Sequence, residues 1–114
     1  MANIKDLDAI TDTIRDAVPA EKIYLFGSHA YGTPNIDSDY DFYVIIPDAS
    51  MRPIEAMQKI YRALSKTKMR IPIDVLASYS SKFNERKQLS TLENKIAKEG
   101  VLLYERDGFN IPMV

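Results

Sequence analysis

The chain has 114 residues, 46% of them hydrophobic, and its 15 basic and 16 acidic residues leave a formal net charge of −1. That length suits one compact core rather than a catalytic domain plus a separate substrate domain, and the balanced charge gives no long-range attraction to DNA or RNA, so direct nucleic-acid binding is not expected. With no cysteine and a single histidine, the sequence excludes a disulfide framework, a thiolate metal site and a multi-histidine zinc cluster, and leaves open hard cations held by oxygen ligands.

The Met1-Ala2-Asn3-Ile4 start lacks the layout of a signal peptide, and no apolar run approaches the roughly 20 residues that span a bilayer. The expectation is a soluble, cytoplasmic, single-domain protein over residues 1–114. Ile4, Leu7, Ile10, Ile14 and Val18 recur at helical spacing between Asn3, a capping residue, and Pro19, which predicts a first amphipathic helix. Ile23 to Phe26 reads as a buried strand running into Gly27. After the turn at Gly32-Thr33-Pro34-Asn35 a second strand is predicted over Asp39 to Ile46, ended by Pro47-Asp48. Ile54, Met57, Ile60, Tyr61 and Leu64 form a second apolar helical stripe that starts near Ser50, with Pro53 in its first turn. A third strand follows from Ile71 to Ala77.

Ser81 is expected to cap a third helix through Phe83, Leu89, Leu92 and Ile96, closed by Gly100 as a left-handed cap, before a last strand from Val101 to Tyr104. Residues 107–114 read as a loose tail or a docking segment. The alternation predicts an α/β (α+β) fold, a small mixed sheet of about four strands with helices packed on one face.

The stretch from Gly27 to Ile46 carries the chemistry. Gly27-Ser28-His29-Ala30-Tyr31-Gly32 is a glycine-rich turn in which backbone N–H groups and the Ser28 hydroxyl can contact phosphate oxygens. Ser38-Asp39-Tyr40-Asp41 then leads into Phe42-Tyr43-Val44-Ile45-Ile46. Because side chains alternate along a strand, Asp39 and Asp41 share one face, where their mutual repulsion is relieved by a divalent cation. Magnesium favours carboxylates together with substrate phosphate oxygens, so metal and nucleotide are expected to bind together. Asp74 is a lone carboxylate in the apolar run Ile71-Pro72-Ile73-Asp74-Val75-Leu76. If its strand lies beside the Asp39/Asp41 strand in matching register, three carboxylates converge on two metals about 4 Å apart, with Asp74 as ligand or general base on the nucleophile side. Neither a Walker loop nor a G-x-G-x-x-G occurs.

These residues, a G-S-x-A-x-G turn followed by S-D-x-D and an apolar strand, resemble the DNA polymerase β-like nucleotidyltransferase superfamily. The short chain, Asp74 and the closing Glu99-Gly100-Val101-Leu102-Leu103-Tyr104-Glu105 run are similar to its minimal nucleotidyltransferase (MNT) branch. The resemblance implies Mg²⁺-dependent transfer of AMP from ATP to a hydroxyl. It assigns nucleotide binding to Gly27, Ser28 and Ser38, and catalysis and metal binding (two Mg²⁺ ions with ATP bound) to Asp39, Asp41 and Asp74. It also implies an antitoxin-type role beside a HEPN-family protein partner. His29 and Tyr31 stand where arginines are frequent in such proteins.

Other readings compete at several positions. Asp37 is expected to cap the turn, His29 is equally suited to the surface or to phosphate, and Tyr31 is expected to cover the turn. Lys59, Arg62 and Lys66 read as a solvated basic face. Two alternatives to an adenylyltransferase acting on a protein are a non-catalytic module that occludes a ribonuclease and an enzyme modifying a small molecule of the aminoglycoside type. A homo-oligomer stays open.

Overall fold

The computed structural model describes residues 4–35 and 38–106. Its elements in chain order are α1 (Ile4–Ala17), β1 (Lys22–Phe26), α2 (Ser28–Tyr31), β2 (Tyr40–Ile46), α3 (Pro53–Ser65), β3 (Ile73–Tyr79), α4 (Ser80–Arg86), α5 (Leu92–Glu99) and β4 (Val101–Glu105). The expectations at Asn3, Asp37 and the tail 107–114 lie outside the described residues.

The strands form one mixed sheet in the order β3-β2-β1-β4. β1 is antiparallel to both β2 and β4, whereas β2 and β3 run parallel and are joined through α3. Pairing of Phe26 with Asp41 and of Asp41 with Asp74 brings the end of β1 to the beginnings of β2 and β3. That end of the sheet is where the motif residues gather.

Alternation along β2 divides the core. Phe42, Val44 and Ile46 join Ile23 and Leu25 of β1 and Val75 of β3 under Ile10 and Ile14 of α1 and Ala56 and Ile60 of α3. Tyr43 and Ile45 face the other way and pack with Phe83 of α4 and Ile96 of α5. The four-stranded mixed sheet is as expected, but the helices lie on both faces rather than one. β2 is the reason: its residues from Phe42 to Ile46 are all buried, so neither face is left to water.

The single helix expected after Ser81 is two helices. Ser81 lies inside α4, which is preceded by Tyr79, and the Ser81 N–H donates to Asp48 Oδ1 at 3.0 Å. Thr91 breaks the run: its hydroxyl donates to Arg86 O at 2.7 Å, ending α4, and accepts the Asn94 N–H at 3.1 Å, starting α5. Leu89, in the break, is exposed rather than core. Gly100 is not a left-handed cap; at φ −68° and ψ 163° it is extended. A Cβ there would stand 2.6 Å from Ile96 O and 3.2 Å from Leu25 O, so glycine is needed for close approach of α5 to β1.

On the face of β2 that carries Asp41, Tyr43 Oη donates to Glu93 Oε2 at 2.8 Å, and Arg86 Nε donates to Glu93 Oε1 at 3.0 Å. This ties α4 and α5 to β2. Burial pushes the Tyr43 hydroxyl up to about 12. For Glu93, burial opposes the charge, but the hydrogen bonds from Tyr43 and Arg86 outweigh it and hold the carboxyl below its usual range. A carboxyl lowered in the folded state contributes stability above its unfolded pKa of about 4.3, and loses it as pH falls through the folded value. Glu93→Gln is expected to cost about 2 kcal/mol at pH 7 in urea unfolding, because it removes a charge-assisted pair of bonds from a buried site. The cost should shrink as pH falls below about 4.

Candidate active site

The site begins with a backbone constraint. Gly27 adopts φ 77° and ψ −165°, a conformation essentially restricted to glycine, between the last residue of β1 and the single turn of α2. Its carbonyl accepts the N–H groups of Ala30 and Tyr31, each at 3.0 Å, and Gly32, left-handed at φ 82°, closes the turn. The space that a Gly27 Cβ would fill is taken by the Asp41 carboxylate, whose Cγ would be 3.1 Å away and whose Oδ2 would be closer still. The turn and the second aspartate of the motif are therefore in contact, as the phosphate-and-metal reading requires.

Asp41 is half-buried near the start of β2, Asp39 is exposed just before it, and Asp74 is exposed on β3, directly beside Asp41 in the parallel register. Paired residues in a parallel ladder point to the same face, so the register condition for convergence is met. The Asp41 carboxyl is raised above its usual value, first by burial and then by the charges of Asp74 and Asp39, with His29 acting in the opposite direction. Among the described residues no group of three or more His, Cys, Asp or Glu is gathered closely enough to enclose a metal ion. An all-oxygen, mutually repelling donor set that does not close on itself fits Mg²⁺, which completes its shell with water and substrate oxygens.

The remaining motif residues shape the loop. His29 stacks on Tyr40, with ring centroids 3.6 Å apart, and its Nε2 lies 3.0 Å from Ser38 O; since a carbonyl only accepts, Nε2 carries the proton. Ser38 Oγ accepts the Asn35 N–H at 2.9 Å, so Ser38 braces the loop. Ser28 is the first residue of α2 and is half-buried. Tyr31 covers the turn as expected. Its hydroxyl is buried with no hydrogen-bond partner among the described residues, the Gly27 amide approaching without hydrogen-bond geometry.

Two contributors escaped the sequence reading. Lys95 of α5 holds its ammonium 4.5 Å from the centroid of the Tyr31 ring and brings a cation beside a turn that has no lysine or arginine from Gly27 to Asp41. Tyr61, expected in the core stripe of α3, is 41% exposed and donates to Asp74 Oδ1 at 3.0 Å. A recess of about 160 Å³ beside the loop is lined by His29, Ser38, Tyr40, Arg70 and Pro72 among others. A larger cavity of about 280 Å³, reaching Ile45, Phe83 and Arg106, lies toward the far end of β2, away from the aspartates.

The profile of the polymerase beta nucleotidyltransferase family matches residues 8–109. The chain belongs to this family. It is a nucleotidyltransferase, and the match spans the glycine turn and all three aspartates. No curated protein matches the chain significantly by sequence. Among solved structures, a nucleotidyltransferase from Sulfolobus solfataricus aligns at 20% identity with a TM-score of 0.60, over 88% of this chain and 78% of that one. A chain from a variant of the toxin–antitoxin MntA–HpeT aligns at 26% identity and a TM-score of 0.55, over 93% of this chain and 75% of that one. A toxin–antitoxin structure with AMP-PNP shares the fold at 24% identity and a TM-score of 0.52, over 85% and 71% of the two chains. The resemblance of the sequence to the MNT branch agrees with these antitoxin-system neighbours.

Gly27→Ala is expected to destabilise this nucleotidyltransferase by about 2 kcal/mol, since the new Cβ meets both a forbidden backbone region and the Asp41 carboxylate; chemical denaturation measures it. Asp41→Asn acts in the opposite direction when divalent cations are absent. A carboxyl raised in the folded state costs stability as pH rises through the carboxylate range, so the variant should melt above wild type at pH 7 and the difference should vanish near pH 3.

Proposed function

We propose that this nucleotidyltransferase transfers AMP from Mg-ATP to a hydroxyl group on a protein, as the antitoxin of a HEPN/MNT toxin–antitoxin pair. The observation that carries this reading is the double register in which Phe26 pairs with Asp41 and Asp41 with Asp74, so that one sheet end presents the glycine turn and three carboxylates together. The MntA–HpeT likeness at 26% identity supports a toxin partner, and AMP-PNP in a neighbour of the same fold supports ATP as donor.

In this reading the Gly27-Ser28 turn holds the triphosphate, with Lys95 supplying positive charge, while Asp39, Asp41 and Asp74 hold Mg²⁺. Mg²⁺ held by these carboxylates would supply charge to activate the attacking hydroxyl and to neutralise the phosphates. The acceptor oxygen forms a bond to the α-phosphorus, the α–β phosphoanhydride bond breaks, and pyrophosphate leaves. The hydroxyl proton passes to Asp74 or, through it, to solvent. Asp74 and Leu76, alternate residues on the same face of β3, are both exposed, so a protein side chain has an open approach from that edge. The domain is taken as 1–114, and Ser38 as a further contact to nucleotide.

A second reading, a non-catalytic module that blocks a ribonuclease, gains from His29 and Tyr31, which stand in place of arginines and whose rings pack on Tyr40 and under Lys95. One experiment separates the two. With ATP labelled at the α-phosphate and the co-expressed partner protein, label should move to the partner and be lost by at least about a hundredfold in Asp39→Ala/Asp41→Ala. No label on the partner while ATP binds, together with neutralisation that survives the double substitution, would establish the blocking module instead.

A further inference from the structure

We propose that Tyr61 is a positioning residue that fixes the Asp74 carboxylate for metal binding. This rests on the placement of Asp74 in the metal-binding set. β3 is an edge strand of the described sheet, so Asp74 has a neighbouring strand on one side only. An exposed aspartate at such an edge would ordinarily sample several rotamers. Tyr61 removes that freedom. Its oxygen accepts the Val75 N–H at 2.7 Å and donates to Asp74 Oδ1 at 3.0 Å. Because the amide can only donate, the hydroxyl proton is committed to Asp74. The phenol thus bridges the backbone of β3 to the carboxylate beside it, and it leaves Oδ2 for a ligand.

The anchoring is one-sided by design of α3. Ile60, the preceding residue, is fully buried and pins this turn of the helix to the sheet, while Tyr61, 41% exposed, turns its hydroxyl to β3. Partners that orient a metal-binding carboxylate typically change metal affinity by 10–100-fold when removed. Tyr61 has that relation to Asp74.

The test is Mn²⁺ binding by calorimetry in the presence of AMP-PNP, which needs no acceptor, on wild type, Tyr61→Phe, Asp74→Asn and the double variant. Phenylalanine keeps the ring, so the fold should be retained; thermal melting checks this. Tyr61→Phe should weaken Mn²⁺ binding about tenfold, and should have no further effect once Asp74 is asparagine. Wild-type affinity in Tyr61→Phe, with Asp74→Asn impaired, overturns the role of Tyr61 alone. So does an equal loss in both backgrounds, which marks a general structural effect. Unchanged Mn²⁺ affinity in Asp74→Asn removes Asp74 from the metal set, and the proposal with it.

Discussion

The contact between Gly27 and the Asp41 carboxylate is the constraint on which the rest of the site depends. A side chain at residue 27 would occupy the volume the carboxylate uses, and the backbone there is open only to glycine. The glycine turn and the second aspartate of the motif are thus set at a separation that neither can change alone. Antiparallel pairing of Phe26 with Asp41 enforces the same separation through backbone hydrogen bonds. Two independent devices, one steric and one in the ladder, fix one distance. A transfer reaction that must hold a phosphate and its counter-cation in register benefits from that redundancy.

Burying Asp41 beside two other aspartates has a cost, since its carboxyl is raised first by desolvation and then by the charges of Asp74 and Asp39. The fold accommodates it by stiffening the surroundings. Tyr43, two residues beyond Asp41 on the same face, is locked to Glu93 and Arg86, so the strand beneath the carboxylates is held by a buried polar network as well as by the apolar core. The His29–Tyr40 stack holds the loop from the opposite side. Repulsion among the aspartates is therefore borne by a rigid frame and remains available to be relieved by a cation. Sites for hard ions and phosphates commonly combine such charge with such preorganisation.

Much of this was legible beforehand, for local reasons. The α1 stripe, the short β1 run into Gly27, the buried β2 and Pro53 at the start of α3 follow from periodicity and turn chemistry, and all appear within a residue or two of expectation. The split between α4 and α5 was missed because the apolar spacing of Phe83, Leu92 and Ile96 spans both helices. Thr91 was the available signal, a capping residue followed three positions later by Asn94. Gly100 looked like a helix stop and is instead a point of close packing against β1, which depends on a strand distant in sequence. Tyr61 sat in an apparent core stripe; its hydroxyl, the one polar group in that stripe, hinted at a partner without naming it.

The sequence alone picked out the glycine turn and the aspartates as the candidates for chemistry. Glycines flanking Ser28, aspartates alternating on a strand and a lone aspartate among β-branched residues are local patterns, and local patterns constrain backbone conformation and facing directly. Only the tertiary structure decided that β3 runs parallel beside β2 with Asp74 level with Asp41, that α4 and α5 close the second face, and that Lys95 and Tyr61 reach the site from separate helices. Strand register and the reach of a side chain from a distant helix are set by how the whole core packs, since each possible partner is compatible with the same local pattern.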